Sequence, residues 1–231
     1  MEGLPPRAAA RIRHRGDPLN LRRRRLVLWR HGQTAWNAEL RFQGQTDVDL
    51  DATGNEQAER SARMLAALKP AVIVSSDLRR AAQTAAALGA VTGLEVSHDH
   101  GLRETFAGEW EGLRRPEIQE RYGAELSAWS AGEDVRPGGG ESRSEVADRT
   151  VQALERALDG LDDGATLIAV SHGGAIRTAI GRLIGIPQTL WGALGPLSNC
   201  SWSVLEENRT RWRLLEHNAD SLPDPVLGDE R

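Results

Sequence analysis

The chain has 231 residues, 39% of them hydrophobic and 27% charged, which is the balance of a folded globular protein with a sizeable core. Its formal net charge of −4 gives no global pull toward nucleic acid or membrane, and a single cysteine, Cys200, excludes an intrachain disulfide framework. No apolar run reaches the ~20 residues of a membrane span, and no apolar secretory segment opens the chain, so a cytoplasmic protein is expected.

Residues 1–24 carry Arg7, Arg11, Arg13, Arg15 and a run from Arg22, broken by Pro5, Pro6 and Pro18. They read as a disordered basic extension outside the fold. The first strand is Leu26–Arg30. Thr53 and Glu56 have capping-box spacing, and Ala58, Ala62 and Leu65 follow at helical spacing until Pro70. Ala71–Val74 is a buried-strand run. Asp77 is placed to cap a helix that starts at Leu78-Arg79-Arg80 and continues to about Val91, and Leu94–Ser97 is a short strand. Residues 101–141 are glycine-rich and irregular, with helix expected only over Pro116–Tyr122. A long insertion of this kind is more often a lid or specificity region than a plain connector. Ser142 and Glu145 form a second capping box before the stripe Ala147, Val151, Leu154 and Leu158. Thr166–Val170 is the second strong strand, Ala175–Ile184 a helix, and Ser201–Glu206 with Arg211–Glu216 a hairpin. Ser221–Arg231 reads as a flexible tail. Strands alternating with helices predict one domain over 25–220, a three-layer α/β/α sandwich around a mostly parallel sheet.

The residues with chemistry cluster where strands end. Arg30, His31 and Gly32 close the first strand, and His172, Gly173 and Gly174 follow the fourth. In a parallel α/β sheet these ends share one edge, where ligands bind. Arg79 lies in the first turn of the helix after the Ala71–Val74 strand, and a helix start already favours an anion. Taken singly, a lone histidine is more often structural, and Arg79 or Glu104 more often solvated surface. Together, at three strand-to-helix turns, they supply what phosphoryl transfer needs.

In chain order the carrying motifs are Leu28-Trp29-Arg30-His31-Gly32-Gln33-Thr34 with Asn37, Phe42-Gln43-Gly44, Ser75-Ser76-Asp77-Leu78-Arg79-Arg80-Ala81, Leu102-Arg103-Glu104, Gly140-Glu141-Ser142 and Ser171-His172-Gly173-Gly174. With these motifs the chain resembles the histidine phosphatase superfamily, which includes the cofactor-dependent phosphoglycerate mutases. The resemblance implies a phosphoglycerate mutase-like fold and a phosphomonoester hydrolase working through phosphohistidine. It implies His31 as nucleophile and Arg30, Arg79 and His172 as neutralisers of the phosphoryl oxygens. Glu104 is implied as acid for the leaving alkoxide and base for water, and Asn37, Gln43 and Gly173 as further phosphate or leaving-group contacts. It implies no metal and no cofactor, a phosphorylated small molecule as partner, and a homodimer as an assembly common in the family.

Two alternatives accompany this reading. One is a mutase; the stretch Tyr122–Ala131 lacks the arginine pair of the mutase pattern, which favours water as the acceptor. The other is an inactive binding module of the same fold, disfavoured because the charged set is complete. Arg24-Arg25-Leu26-Val27, Leu102-Arg103-Glu104-Thr105, Gly139-Gly140-Glu141-Ser142-Arg143, Ser198-Asn199-Cys200-Ser201-Trp202 and Arg211-Trp212-Arg213-Leu214 are similar to the actinobacterial glucosyl-3-phosphoglycerate phosphatases, a narrower group within the superfamily.

Overall fold

The computed structural model describes residues 23–208 and 211–221. The proposed basic arm up to residue 22 and the tail beyond Ser221 lie outside the described residues. Six strands, β1 (Arg25–Arg30), β2 (Val72–Ser75), β3 (Val96–His98), β4 (Thr166–Ser171), β5 (Trp202–Asn208) and β6 (Arg211–Ala219), form one sheet in the order β3-β2-β4-β1-β5-β6. The first four in that order run parallel, and β5 and β6 add an antiparallel edge.

The apolar runs of β1 and β4 are continuous because both faces of these central strands are covered. Alternation sends Val27, Trp29, Ile168 and Val170 to one face, against Ala58, Ala62 and Leu65 of α2 (Ala52–Ala66) and Ala81, Ala85 and Leu88 of α3 (Arg79–Thr92). Leu26, Leu28, Leu167 and Ala169 point the other way. They meet Ala153, Leu154 and Leu158 of α5 (Arg143–Leu158) and Ile176, Ala179 and Ile180 of α6 (Gly173–Ile184). These are the two outer layers of the expected sandwich. Each large apolar side chain buried this way stabilises the fold by roughly 1.5–3 kcal/mol.

Several helix boundaries differ from the sequence expectation. Thr53 and Glu56 do not form the cap of α2; Asp51, two residues earlier, accepts from Gly54 N at 2.7 Å. Asp77 does not cap α3, because Arg103 takes its carboxylate, with Nε 2.7 Å from Oδ1. The Arg79 amide donates instead to Asp47 Oδ1 at 2.8 Å. The Ser142–Glu145 capping box is present at α5. A short helix, α1 (Ala35–Ala38), follows β1, and the helix expected over Pro116–Tyr122 is α4 (Arg115–Ser130). A kink at Tyr122 (φ −132°, ψ 32°) breaks the period just before Gly123, which is where the apolar pattern faded in the sequence. Ile118 and Leu126 of α4 bury themselves with Ala107 and Trp110, in a small core under the insertion. Arg24, expected in the extension, belongs to the fold: its guanidinium meets both Glu207 oxygens at 2.7 and 2.8 Å, and Glu207 N donates to its carbonyl.

This topology opens a crevice. After β1 the chain turns toward the α2/α3 layer, and after β4 toward the α5/α6 layer. The two strands are neighbours, so their carboxyl ends diverge at a switch point.

Candidate active site

Register places the two histidines side by side. Arg30 pairs with Ser171 across the β1–β4 ladder, so His31 and His172 follow at the same level, and their rings lie 5.1 Å apart. His31 is 3% exposed, and its Nδ1 is 2.7 Å from the carbonyl of Gly32. A carbonyl only accepts, so Nδ1 carries the proton and Nε2 keeps the lone pair. Burial, followed by the positive charges of Arg80 and Arg30, holds the imidazole pKa well below its ordinary 6.5. The ring is neutral at pH 7. Its backbone is fixed too: the His31 carbonyl accepts from Asn199 Nδ2 at 3.1 Å and from Cys200 N at 3.2 Å.

Arg30 approaches from the same turn. Its Nη1 donates to the Leu197 carbonyl, while its Nε is buried with no hydrogen-bond partner. A buried cationic donor without an acceptor is a group poised for an anion.

The structure corrects the assignment of Arg79. Its guanidinium is 54% exposed and is consumed by Asp47, at 3.1 Å, and Asp49, at 2.7 Å, on the outer side of the loop. Arg80 is the arginine that reaches the crevice. It is fully buried and donates to Gly44 O at 2.7 Å, Thr46 O at 2.8 Å and His172 Nδ1 at 3.2 Å. Burial lowers its pKa to about 10, so it stays charged at neutral pH. Helical phase explains the swap: Arg80, Thr84 and Leu88 share the inward stripe of α3, and Arg79 precedes it by one residue. The same phase was available in the sequence, from Ala81, Ala85 and Leu88.

His172 is brought to the site but stands behind His31 rather than in the cavity wall. It is fully buried, with Nδ1 accepting from Arg80 and Nε2 2.9 Å from Ser76 Oγ. Burial first, then Arg80, keep it neutral as well. Gly173 also lies outside the wall, beside Arg30, where a Cβ would sit 3.5 Å from Nε. Gly32 serves packing, not ligand approach. A Cβ there would come within 2.5 Å of the Gly54 carbonyl of α2, and its N–H goes to Thr84 Oγ1 at 3.1 Å.

Glu104 reaches the crevice from the insertion and caps α6 across the fold. Its carboxylate accepts from Gly174 N and Ala175 N at 3.0 Å each and from Thr105 N at 2.8 Å. Gly174 has to be glycine for this, because a Cβ would meet Oε1 at 2.5 Å. Arg149 of α5, unnoticed in the sequence, holds the strand of chain that presents Glu104. It donates to the carbonyls of Gly101, Arg103 and Glu104 at 2.7–2.9 Å and clamps Glu141 at 2.7 and 2.8 Å. Glu141 in turn accepts from Phe106 N at 2.8 Å. Burial works against its charge, but Arg149 outweighs that and lowers its pKa. Asn37 and Gln43 meet through Thr34, whose Oγ1 is 3.1 Å from an oxygen of each. Asn37 Oδ1 also accepts from Thr34 N and Asn199 Nδ2, so its amide nitrogen is the group left for a ligand.

These elements surround a cavity of about 260 Å³ lined by Arg30, His31, Asn37, Gln43, Arg80 and Glu104, with Phe42 and Trp129 on its apolar side and Arg41 and Arg177 at its margins. A neutral imidazole with an available lone pair faces it, two arginines flank it, and a carboxylate stands on the far side. That arrangement suits an in-line displacement at phosphorus. The chain belongs to the histidine phosphatase superfamily, branch 1, whose sequence profile matches residues 26–220.

Within that superfamily the chain is similar to a glucosyl-3-phosphoglycerate phosphatase of Mycolicibacterium vanbaalenii, 41% identical over 218 residues that cover 87% of this chain and 97% of the relative. It is 41% identical over 161 residues to phosphoglycerate mutase-like protein 4 of Arabidopsis thaliana, covering 68% of this chain and 70% of that protein. Among solved structures, a mycobacterial glucosyl-3-phosphoglycerate phosphatase complexed with VO3 superposes with a TM-score of 0.81 and 41% identity, covering 85% of this chain and 99% of that one. The fold and the superfamily expected from the motifs are those found. The single cysteine, Cys200, is buried, and burial pushes its thiol up to about 12.

Proposed function

We propose that this chain is a phosphomonoesterase that works through a phosphohistidine at His31, with glucosyl-3-phosphoglycerate as its substrate. The observation that carries the chemistry is the state of His31: a neutral ring, with Nδ1 engaged by Gly32 and Nε2 left to attack, beside the unpartnered Nε of Arg30. The substrate comes from the relatives named for it, at 41% identity across 97% of their length.

In the first half, the Nε2 lone pair of His31 forms a bond to phosphorus and the ester P–O bond breaks. Arg30 and Arg80 offset the charge on the phosphoryl oxygens with fixed donors, at no reorganisation cost during the reaction. Glu104, carrying a proton in the complex with the substrate, gives it to the leaving alkoxide. In the second half, a water oxygen bonds to phosphorus as the Nε2–P bond breaks, Glu104 takes the water proton, and inorganic phosphate leaves. The cycle returns His31 to neutrality and Glu104 to its acid form. His172 acts through Arg80 and the adjacent ring: neutral and buried, it accepts the Arg80 Nε–H and fixes that guanidinium. Asn37 and Gln43 hydrogen-bond the phosphate or leaving group.

The test is phosphate release from a panel of glucosyl-3-phosphoglycerate, 3-phosphoglycerate, sugar phosphates, nucleotides and p-nitrophenyl phosphate. The proposal expects the first to have the highest kcat/KM. A clear preference for any of the others overturns the substrate assignment and leaves the phosphohistidine chemistry standing.

A further inference from the structure

Beyond the phosphoryl cavity lies a second one, of about 330 Å³, and Trp129 and Arg177 line both. Its wall carries three arginines and no carboxylate. Arg115 and Arg143 come from the first residues of α4 and α5, and Arg177 from the middle of α6. Like charges gathered around a shared concavity repel one another, and an anion is the partner that reverses the sign of that interaction.

The contacts of these arginines are neutral or absent. Arg143 donates to the carbonyls of Trp129, at 2.7 Å, and Glu133, at 3.2 Å, and lies 4.6 Å over the Trp129 ring. Arg115 donates to Ser130 Oγ at 3.2 Å. Arg177 is half-buried and makes no hydrogen bond or ion pair with any described residue. Three other arginines around the crevice are held differently: Arg103 and Arg149 have carboxylates at 2.5–2.8 Å, and Arg80 has three acceptors. The pKa of Arg143 is lowered, first by burial and then by Arg177, with Asp134 acting in the opposite sense.

We propose that this second cavity is an anion subsite, in which Arg177 and Arg143 hold a carboxylate of the substrate while its phosphoryl group lies against His31. Arg177 borders both cavities, so a ligand that reaches from the nucleophile into the second cavity passes this pair. Trp129 lines both cavities, and Gln188 and Thr189 add neutral polar groups to the wall of the second. The ligand class is a phosphorylated hydroxy acid. The inference rests on the proposed function only for the location of the phosphoryl group.

The test uses binding rather than turnover. The His31→Ala protein cannot form phosphohistidine, and its affinity for 3-phosphoglycerate and glycerol 3-phosphate is measured by calorimetry. The two ligands differ in a carboxylate against a hydroxymethyl group. The subsite predicts that 3-phosphoglycerate binds about 10- to 100-fold more tightly, the range of one charge-assisted contact. Adding Arg177→Gln collapses that ratio toward one, and Arg177→Lys restores part of it. Arg177 has no partner to leave unpaired, so the substitution leaves the fold intact, as a matching melting curve checks. Equal affinities in His31→Ala, no measurable binding of 3-phosphoglycerate at millimolar concentration, or a ratio unchanged by Arg177→Gln each overturn the subsite. Failure of the phosphohistidine reading shows elsewhere, as full turnover of phosphate esters by the His31→Ala protein.

Discussion

The phosphoryl cavity and the arginine cavity beside it draw their cations from different kinds of structure. Arg30 and His31 are the last positions of a central strand and the turn after it, and Arg80 sits in the first turn of α3. Ladder register and helix phase fix all three. Arg115, Arg143 and Arg177 come from three helices, α4 inside the long insertion, α5 directly after it and α6 beyond β4, and nothing within one element relates them. The cations of the first cavity are therefore set by the sheet and the helix that follows β2, while its carboxylate, Glu104, comes from the insertion. The second is a property of how the insertion docks, through Glu141, Arg149 and the small core around Trp110. On the proposed reading, chemistry belongs to the one and choice of substrate to the other.

Substitutions separate the two regions. The largest effect is expected at Arg80. Arg80→Ala should lower kcat/KM by roughly 10²–10³-fold on every ester tested, as loss of a buried transition-state donor does. Arg80→Lys should recover part, and protein whose near-ultraviolet circular dichroism matches wild type is the sample to measure. A loss confined to carboxylate-bearing substrates would place Arg80 with the wrong cavity. Next comes Glu104→Gln, expected to cost about 10²-fold on alkyl phosphates and much less on p-nitrophenyl phosphate, whose leaving group needs no proton. An equal loss on both contradicts the acid role. Arg149→Ala frees the chain that presents Glu104 and should lower kcat about tenfold, with the alkyl-over-aryl bias of Glu104→Gln in weaker form. If KM alone moves, Arg149 belongs to binding and not to positioning.

Stability against pH probes the cradle without substrate. His31 and His172 both have folded pKa values well below 6.5, so below that pH the unfolded chain binds protons that the folded one refuses. Stability contributed by the neutral rings is complete above about pH 6.5 and is lost as pH falls, by up to about 1.4 kcal/mol per pH unit for each histidine. Urea midpoints should decline on acidification, and less steeply in His172→Asn. An unchanged slope in that variant argues against a buried neutral His172. The smallest effect is expected at Arg79: exposed and paired only with Asp47 and Asp49, it should tolerate alanine within about twofold in kcat/KM. A loss as large as that of Arg80→Ala would reinstate it in the site.

What the sequence revealed follows the same division. β1, β4 and the histidines at their ends were legible because two buried strands read as apolar runs and the polar residues follow at once. The Ser142–Glu145 box was legible because its partners are three residues apart. Asp51 and Thr53 can both cap a helix, and the chain path that pairs Asp51 N with Gln33 O decides which one meets a free amide. Asp77 was assigned to the helix it precedes, but Arg103, from beyond β3, claims its carboxylate. Arg79 was preferred to its neighbour although the stripe Ala81, Ala85 and Leu88 already placed Arg80 inward. The Glu104 cap of α6 joins residues 70 apart, and no local pattern encodes a contact of that span. The same holds for Arg177 and Arg143, whose meeting depends on how α5 and α6 pack.

The central claim is that phosphate passes through Nε2 of His31. The direct measurement is to mix enzyme with a phosphorus-32-labelled substrate, quench within milliseconds in alkali, and map the label by mass spectrometry. The account predicts an acid-labile, alkali-stable phosphopeptide containing His31, absent from His31→Ala, and chased to inorganic phosphate at the rate of turnover. Label on any other residue, or full turnover by His31→Ala, contradicts it.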